Sequence, residues 1–147
     1  MTLGFNPVVS VCIPAYNSPE LVARAVESVF NQTFSNFELI ITDDSSDDRL
    51  WSVLQPWSMD IRFRYFKNKS RLGSPANWNR AVELARTNIV KFLHHDDWFS
   101  RNDSLEIFYK AISSDSAYCL AFSQSNNVSE NIIKSINAPS ENQIELL

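Results

Sequence analysis

The feature that most constrains this chain is a regular alternation of short apolar runs with segments that carry helix-start signals. The first run, residues 8–13, is rich in β-branched residues, which is typical of strands, and two of the intervals open with a Ser-Pro pair that is typical of a helix start. The alternation predicts a mostly parallel sheet with helices on both faces, a three-layer α/β sandwich. The predicted strands are residues 8–13, 37–42, 61–66, 89–93 and 117–122.

Four helices are predicted in the intervals between these strands. Two begin at Ser18-Pro19 and Ser74-Pro75, where the serine is expected to cap the helix and the proline to occupy its first turn. The other two are predicted over residues 47–54 and 102–112. The run 61–66 alternates apolar and basic residues, which predicts an edge strand with one wet face.

Composition and length indicate one globular domain over residues 1–147, with 44% hydrophobic and 20% charged residues. Its core is predicted over residues 8–123. From 124 to 147 polar residues dominate, which predicts either a hairpin with a loose tail or the start of a region that packs only when more chain follows. The abrupt end suggests a truncated domain.

Net charge and hydropathy limit the binding partners and the cellular compartment that we expect for this chain. The net charge of −4 gives no electrostatic reason to bind nucleic acid, and no apolar run reaches membrane-spanning length. The first residues do not form a signal peptide. We therefore expect a cytoplasmic protein, with peripheral association with the inner face of the membrane as an alternative. The sequence does not indicate an oligomeric state.

Two rare residue types carry information about chemistry. Cys12 and Cys119 lie in strand-like runs, which favours buried free thiols over a disulfide. Gly4 and Gly73 are the only glycines, so neither a P-loop nor a Gly-x-Gly-x-x-Gly dinucleotide turn can be written in this chain. A phosphate group would have to be held without a glycine cradle.

Paired carboxylates follow two of the predicted strands. Asp43-Asp44 ends one strand and Asp96-Asp97 follows another. The carboxyl ends of parallel strands are where open α/β sheets bind ligands, and carboxylate oxygens suit Mg²⁺ or Mn²⁺, which usually accompanies a phosphate. The alternative is that each pair only caps the helix that follows it.

Four motifs, in order, give this sequence a family resemblance. Residues 9–17 read V-S-V-C-I-P-A-Y-N, and 32–33 with 37–46 read Q-T and F-E-L-I-I-T-D-D-S-S. Residues 73–85 form a predicted helix segment that carries Asn79, and 95–97 read H-D-D. Together they resemble family 2 of the glycosyltransferases with the GT-A fold, a Rossmann-like three-layer sandwich. The resemblance covers about two-thirds of the chain.

The resemblance implies an inverting, hexosyltransferase-like enzyme of polysaccharide biosynthesis. Such an enzyme takes a nucleoside-diphosphate sugar, with a UDP-sugar favoured here, and transfers the sugar to a saccharide or lipid-linked acceptor. It implies that Asp97 binds Mn²⁺ or Mg²⁺ and that Asp96 reaches the ribose or the sugar. The other residues expected to bind the sugar nucleotide are Pro14, Tyr16, Asp44, Arg71 and Asn79.

Several alternatives stay open. Tyr16 could be a core aromatic, Arg71 a solvated surface residue, and Asn79 a support for the metal loop. In the resembled family, the general base and much of the acceptor site lie in chain beyond residue 147, so no base is assigned here and the acceptor half is expected to be missing. The alternative functions are a non-catalytic module that binds nucleotide sugars and, less favoured, a nucleotidyltransferase.

Overall fold

The structure is a computed structural model that describes residues 5–115, 117, 120–121, 125–129 and 132–136. Two compact units divide the chain, Met1–Tyr109 and Lys110–Leu147. In chain order the elements are β1 (Val9–Ala15), α1 (Pro19–Phe30), β2 (Phe37–Asp43), α2 (Arg49–Leu54), a single 3₁₀ turn (Gln55–Trp57), β3 (Phe63–Lys67), α3 (Ser74–Glu83), β4 (Val90–Phe92), α4 (Ser104–Ser113), β5 (Ser125–Ser129) and β6 (Ile132–Ile136).

The first unit is built on a parallel four-stranded sheet in the order β3-β2-β1-β4. Every residue of β1 and β2 is buried, as expected for central strands that are covered on both faces. In the register of the sheet, Ala15 lies opposite Asp43, and Cys12 lies opposite Phe92 of β4. The predicted α/β architecture is confirmed.

Alternate residues of the central strands feed two separate cores. Val11 of β1 and Leu39 of β2 belong to the larger core, which includes buried residues of α1 and α2. Cys12 and Ile40 face the other way and pack with Ala81 of α3. The sheet therefore lies between two helical layers. Burial raises the pKa of the Cys12 thiol to about 12, and that cysteine is free as predicted, whereas Cys119 lies outside the described residues.

The helix starts differ from the predicted side-chain caps. Ser18 does occupy the N-cap of α1, but it is left-handed at φ 52° and its side chain makes no capping bond. Its carbonyl oxygen accepts the first backbone bonds of the helix, from Leu21 and Val22. At α3 the N-cap is Gly73, and Ser74 is already helical. The Ser-Pro signal therefore located both helices correctly. Ser18 is the N-cap of α1 as predicted, although without a side-chain bond, whereas the prediction of Ser74 as the N-cap of α3 is wrong.

The edge strand is at its predicted place, but the prediction of a wet basic face is wrong at Arg64. The guanidinium of Arg64 donates to Glu38 Oε2 at 2.7 Å, and the Glu38 side chain is fully buried. Glu38 also accepts a 2.7 Å bond from Ser10 Oγ and another from the backbone N–H of Arg86. The Arg64 side chain on β3 thus points inward, because the buried Glu38 carboxylate on the neighbouring strand requires a positively charged partner.

The second unit contains an antiparallel hairpin of β5 and β6, with Ser125 opposite Ile136. One of the two alternatives for the polar segment, a hairpin, is therefore present. The strand predicted over residues 117–122 is wrong where it is described, because Ala117 lies in a turn and Leu120 and Ala121 have no regular structure. Leu120 is 66% exposed, so the apolar character of this residue does not reflect burial. Among the described residues, no helix is long and apolar enough to cross a membrane.

Candidate functional site

The candidate site lies at the carboxyl edge of the parallel sheet, which we call the rim and define as residues 16–18, 44–46 and 93–97. The chain builds β1, β2 and β3 outward in one direction and then returns to place β4 on the other side of β1. The strand order therefore reverses between β1 and β4. In open α/β sheets, the crevice outside such a reversal is where ligands bind.

Asp44 lies on the rim at the end of β2 and is 5% exposed. Its backbone N–H donates to the Ala15 carbonyl, and its carboxylate accepts three bonds of 2.8 Å, from Asn68 Nδ2 and from the backbone N–H groups of Leu72 and Gly73. Burial alone would raise the pKa of Asp44, but these bonds and the charge of Arg71 hold it below its ordinary value. Asp44 is therefore an ionised side chain that fastens the loop before α3 to the rim.

Two buried asparagines support Asp44 from below. Asn68 Nδ2 also donates to Asn77 Oδ1 at 2.9 Å, and Asn77 Nδ2 donates to the carbonyls of Thr42 and Ala15. These bonds fix both amide orientations, because flipping either group would set oxygen against oxygen. One buried acceptor, Asn68 Oδ1, then has no hydrogen-bond partner in the described structure. Such an atom beside a carboxylate needs a donor to satisfy it.

Tyr16 and Arg71 meet above this network. The Arg71 guanidinium carbon lies 4.3 Å from the centre of the Tyr16 ring, and Tyr16 is 40% exposed. Because Leu72 and Gly73 are bonded to Asp44, the loop that carries Arg71 is anchored directly beside the tyrosine. The fold thus gathers three predicted nucleotide-binding residues, Tyr16, Asp44 and Arg71, at one point of the rim.

The backbone between β1 and α1 is held in an uncommon conformation. Asn17 and Ser18 are consecutive non-glycine residues with positive φ, at 56° and 52°. The N–H of Asn17 donates to Ser45 Oγ at 2.7 Å, which ties this turn to the end of β2. Non-glycine left-handed residues cost free energy and cluster at ligand sites. The turn that presents Tyr16 is therefore held in place by the surrounding structure.

Asp43, the neighbour of Asp44, faces the opposite layer and is fully buried. Its carboxylate accepts a 2.6 Å bond from the Tyr65 hydroxyl and a 2.8 Å bond from Lys67 Nζ, and it also accepts from the N–H of Ser45. Burial raises the pKa of Tyr65, and the bond to Asp43 raises it further. Asp43 thus braces the turn after β2, whereas Asp44 faces the rim.

Asp96 and Asp97 are both exposed in a turn that follows β4. The N–H of Asp97 donates to the His94 carbonyl at 3.0 Å, which closes the turn. Burial lowers the pKa of the Lys91 ammonium, and the negative charge of Asp97 opposes this shift. Lys91 Nζ also lies 4.1 Å from the centre of the Phe108 ring. The two carboxylates are accessible to solvent, and the negative charge of Asp97 acts on the ammonium group of Lys91 on β4.

The donor set at this turn fits a magnesium-like ion. Among the described residues, no three His, Cys, Asp or Glu side chains cluster as a metal cage. Mg²⁺ commonly takes one or two carboxylates and completes its shell with water and substrate phosphate oxygens. Two exposed carboxylates in one turn match that pattern better than a closed structural site.

Two of the predicted binding residues, Pro14 and Asn79, lie outside the network around Asp44. Pro14 is buried within β1, so its side chain offers no open surface. Asn79 is exposed on α3, one residue after Trp78, whose ring packs against Phe92 and meets the His94 ring edge-on at 4.8 Å. Neither residue is bonded to Asp44 or Tyr16. Their predicted roles in binding therefore stay predictions.

Asn68 and Asn77 are the residues of the site that sequence reasoning missed. They lie nine positions apart, on the end of β3 and on α3, and each is buried. Asparagine is uncommon in a protein interior, but a sequence does not show which of its asparagines are buried. Asn77 falls inside a helix start, so only the contact with β1 and β2 reveals its function.

The fold and the sequence both match known glycosyltransferases. Over 74% of this chain and 33% of the other, the structure resembles the mannosyltransferase PcManGT from Pyrobaculum calidifontis in complex with GDP-Man and Mn²⁺, with a TM-score of 0.67 at 23% identity. This confirms the predicted GT-A fold.

Two curated relatives come from Escherichia coli. The chain is 33% identical to chondroitin synthase over 86% of its own length and 18% of that protein. It is 35% identical to the UDP-Glc:alpha-D-GlcNAc-diphosphoundecaprenol beta-1,3-glucosyltransferase WfaP over 69% of its own length and 41% of that protein. It thus spans less than half the length of either relative. The sequence model of the family described as glycosyl transferase family 2 matches residues 10–145, and the chain belongs to that family.

Proposed function

We propose that this chain binds a nucleoside-diphosphate sugar together with Mn²⁺ or Mg²⁺ at the rim, as the donor part of an inverting glycosyl transfer to an acceptor hydroxyl. The observation that carries the proposal is the convergence of Tyr16, Asp44 and Arg71 at the carboxyl edge of the sheet, beside the strand-order reversal between β1 and β4. An aromatic face, an ionised carboxylate and a guanidinium are the groups expected around a nucleoside base.

Each of these groups has a distinct part in the proposal. Tyr16 and Arg71 offer planar faces on which a base stacks. Asp44 Oδ2 accepts one described bond, from Gly73, so a second acceptor position is left for the ring N–H of a base. Uracil and guanine both carry such a group. We favour UDP, in line with the donor named for the WfaP relative.

The exposed turn after β4 is the proposed metal and sugar site. Asp97 would hold the ion, and Asp96 would reach the ribose or the sugar. A divalent ion bound there neutralises the diphosphate and acts as a Lewis acid on the leaving group. A cation also suits a chain with a net charge of −4, which would otherwise repel an anionic ligand. Asn79, exposed on α3, and Pro14, whose side chain is buried within β1, complete the proposed binding set.

The acceptor side of the proposal is coarser. The acceptor is a saccharide or a lipid-linked sugar, in line with the diphosphoundecaprenol acceptor named for WfaP. We assign no general base. The chain spans 41% of WfaP and 18% of chondroitin synthase. Because it covers so little of either relative, sugar transfer by this chain alone is proposed here and is not inferred from them.

Titration calorimetry tests the binding step directly. The chain is titrated with UDP-, GDP- and dTDP-sugars, with and without Mn²⁺, and the expected result is binding that requires the ion and prefers a UDP-sugar. Asp97→Asn is expected to weaken binding roughly tenfold or more, because the ion loses a charged ligand. Asp47→Asn is the matched control, since Asp47 is an aspartate after β2 whose side-chain bonds in the described part of the chain go to Arg49.

The outcomes separate the functions considered. Metal-dependent binding with release or transfer of the sugar supports the proposed enzyme. The same metal-dependent binding of the sugar nucleotide, without any release or transfer of the sugar, would identify a non-catalytic module instead. Binding that is indifferent to Mn²⁺ and to Asp97→Asn contradicts the proposed metal site.

A further inference from the structure

Three polar side chains spaced four residues apart contact the chain that follows the Asp96-Asp97 turn. They are Arg24 and Ser28 on α1 and Gln32 just after it, and we call them the docking stripe. Residues four apart on a helix project on the same side. Their partners outside α1 lie within residues 98–105, which we call the rim segment and which contains no helix or strand before Ser104.

Arg24 makes the first contact. Its guanidinium carbon lies 3.4 Å from the centre of the Trp98 ring, the stacking distance of two flat groups in contact. Trp98 is the residue immediately after Asp97. The stack therefore fixes the chain one residue beyond the proposed metal ligand.

Ser28 makes the second contact through a single hydroxyl. Its Oγ donates to the Ala25 carbonyl at 2.7 Å and accepts from the backbone N–H of Phe99 at 3.1 Å. Because its proton is used within the helix, the oxygen is oriented to receive the rim segment.

Gln32 completes the stripe and is 7% exposed. Its Nε2 donates to the carbonyls of Ser28 and Arg101, and its Oε1 accepts from the N–H of Leu105 at 2.8 Å. The N–H of Thr33 adds a 2.7 Å bond to the Asn102 carbonyl. One amide thus joins α1 to both ends of the loop that begins α4.

We infer that the docking stripe is a positioning device that sets where the carboxylates of Asp96 and Asp97 stand on the rim. The inference rests on the proposed function for the meaning of those carboxylates. The turn is held on its other side by the Trp78 ring, which meets His94. Between these two supports the aspartates are exposed, so the turn has few other contacts to define its position.

The nature of the contacts separates positioning from ordinary core packing. Apolar packing tolerates small shifts, whereas a stacked guanidinium and hydrogen bonds to specific backbone groups require one geometry. Groups around a metal site that orient its ligands typically change affinity by tenfold or more when they are removed.

Hydrogen exchange measured by mass spectrometry on the ligand-free chain tests the first half of the inference. Ser28→Ala removes the acceptor of the Phe99 N–H, and exchange in peptides covering residues 94–103 is expected to quicken about fivefold. Arg24→Met is expected to quicken exchange in the same peptides, while β1 and β2 stay protected. Arg49→Met is the matched control, because Arg49 is an exposed arginine of α2 whose ion pair among the described residues is with Asp47.

Mn²⁺ affinity tests the second half of the inference, the effect on the metal site. It is measured in the presence of a UDP-sugar from the electron paramagnetic resonance signal of the free ion. Ser28→Ala and Arg24→Met are expected to weaken Mn²⁺ binding roughly tenfold, and Arg24→Lys to fall between Arg24→Met and the wild type. The Gln32 variants are left out because that side chain is too central to the fold.

Three results overturn the inference: unchanged exchange over residues 94–103, exchange that rises equally throughout the sheet, or quicker local exchange with unchanged Mn²⁺ affinity. A wild-type chain that binds no Mn²⁺ with any sugar nucleotide defeats the proposed function. In that case the exchange experiment still decides whether the docking stripe holds the turn.

Discussion

Asp44 shows how one side chain can serve both the fold and a site. Its carboxylate accepts backbone bonds from Leu72 and Gly73, so it holds the start of α3 against the end of β1. The same bonds keep it ionised and place Arg71 over Tyr16. A change at Asp44 should therefore alter stability and nucleotide binding together.

The lowered pKa of Asp44 makes a prediction about pH. A carboxyl group whose pKa is lower in the folded state contributes stability above its ordinary value of 3.8 and loses that contribution as the pH falls through the folded value. At neutral pH, Asp44→Asn should reduce the free energy of unfolding by about 2 kcal/mol, because one backbone N–H loses its charged acceptor. Urea unfolding of both proteins should show this difference shrinking below pH 3.8. A difference that stays constant with pH would contradict the assignment.

Among the elements, α3 depends on an unusual backbone at its first boundary. Gly73, its N-cap, has φ 83° and ψ 169°, a region open essentially to glycine alone. A Cβ added there would meet no heavy atom within 4 Å, so any penalty arises from the backbone and not from a clash. The N–H of this residue is also one of the bonds to Asp44.

Gly73→Ala is therefore predicted to destabilise the chain by about 1–3 kcal/mol. Because the strain also displaces the N–H that Asp44 accepts, the substitution should weaken binding of a UDP-sugar as well. Urea unfolding measures the first effect and calorimetry the second. Ser74→Ala, at the adjacent exposed position, is the control and should change neither by a comparable amount. An unaltered unfolding curve for Gly73→Ala would contradict this role of the glycine at the start of α3.

The elements were predictable where local chemistry and long-range packing agree. β1 and β2 are buried on both faces, so their mostly apolar, β-branched runs identify them. The run 117–122 is also apolar, yet its described residues form no strand, because a strand also needs a partner edge that composition does not supply. The inward turn of Arg64 has a similar origin, since it depends on Glu38 of the neighbouring strand.

The candidate site was predictable only in its parts. Asp44, Tyr16 and the Asp96-Asp97 pair follow strand ends, and the parallel sheet explains why they share one edge. The buried Asn68–Asn77 pair and the docking stripe are contacts between distant segments, and no local pattern marks them. The sequence alone therefore does not predict the contacts between distant segments that support the exposed site residues.

At the scale of the whole molecule, binding and folding should be linked. A ligand that binds only the folded state adds stability in proportion to the logarithm of its concentration over its dissociation constant, about 2.7 kcal/mol at a hundredfold excess. Mn²⁺ with a UDP-sugar is therefore predicted to raise the unfolding temperature, and removing the ion with EDTA should reverse the rise. Either component alone should give a smaller shift. A rise that survives EDTA would argue against binding through the ion.

The central claim is that one rim of the parallel sheet holds both the ion and the sugar nucleotide. Paramagnetic broadening by Mn²⁺ in the presence of a UDP-sugar, read from the backbone amide signals of the isotope-labelled chain, tests it most directly. The account predicts that signals of residues 93–98 broaden first, those of Tyr16 and Asn17 next, and those of Val9 and Phe37, at the opposite ends of β1 and β2, no more than in a sample with Mn²⁺ alone. Uniform broadening, or broadening centred away from Asp96 and Asp97, would contradict the account.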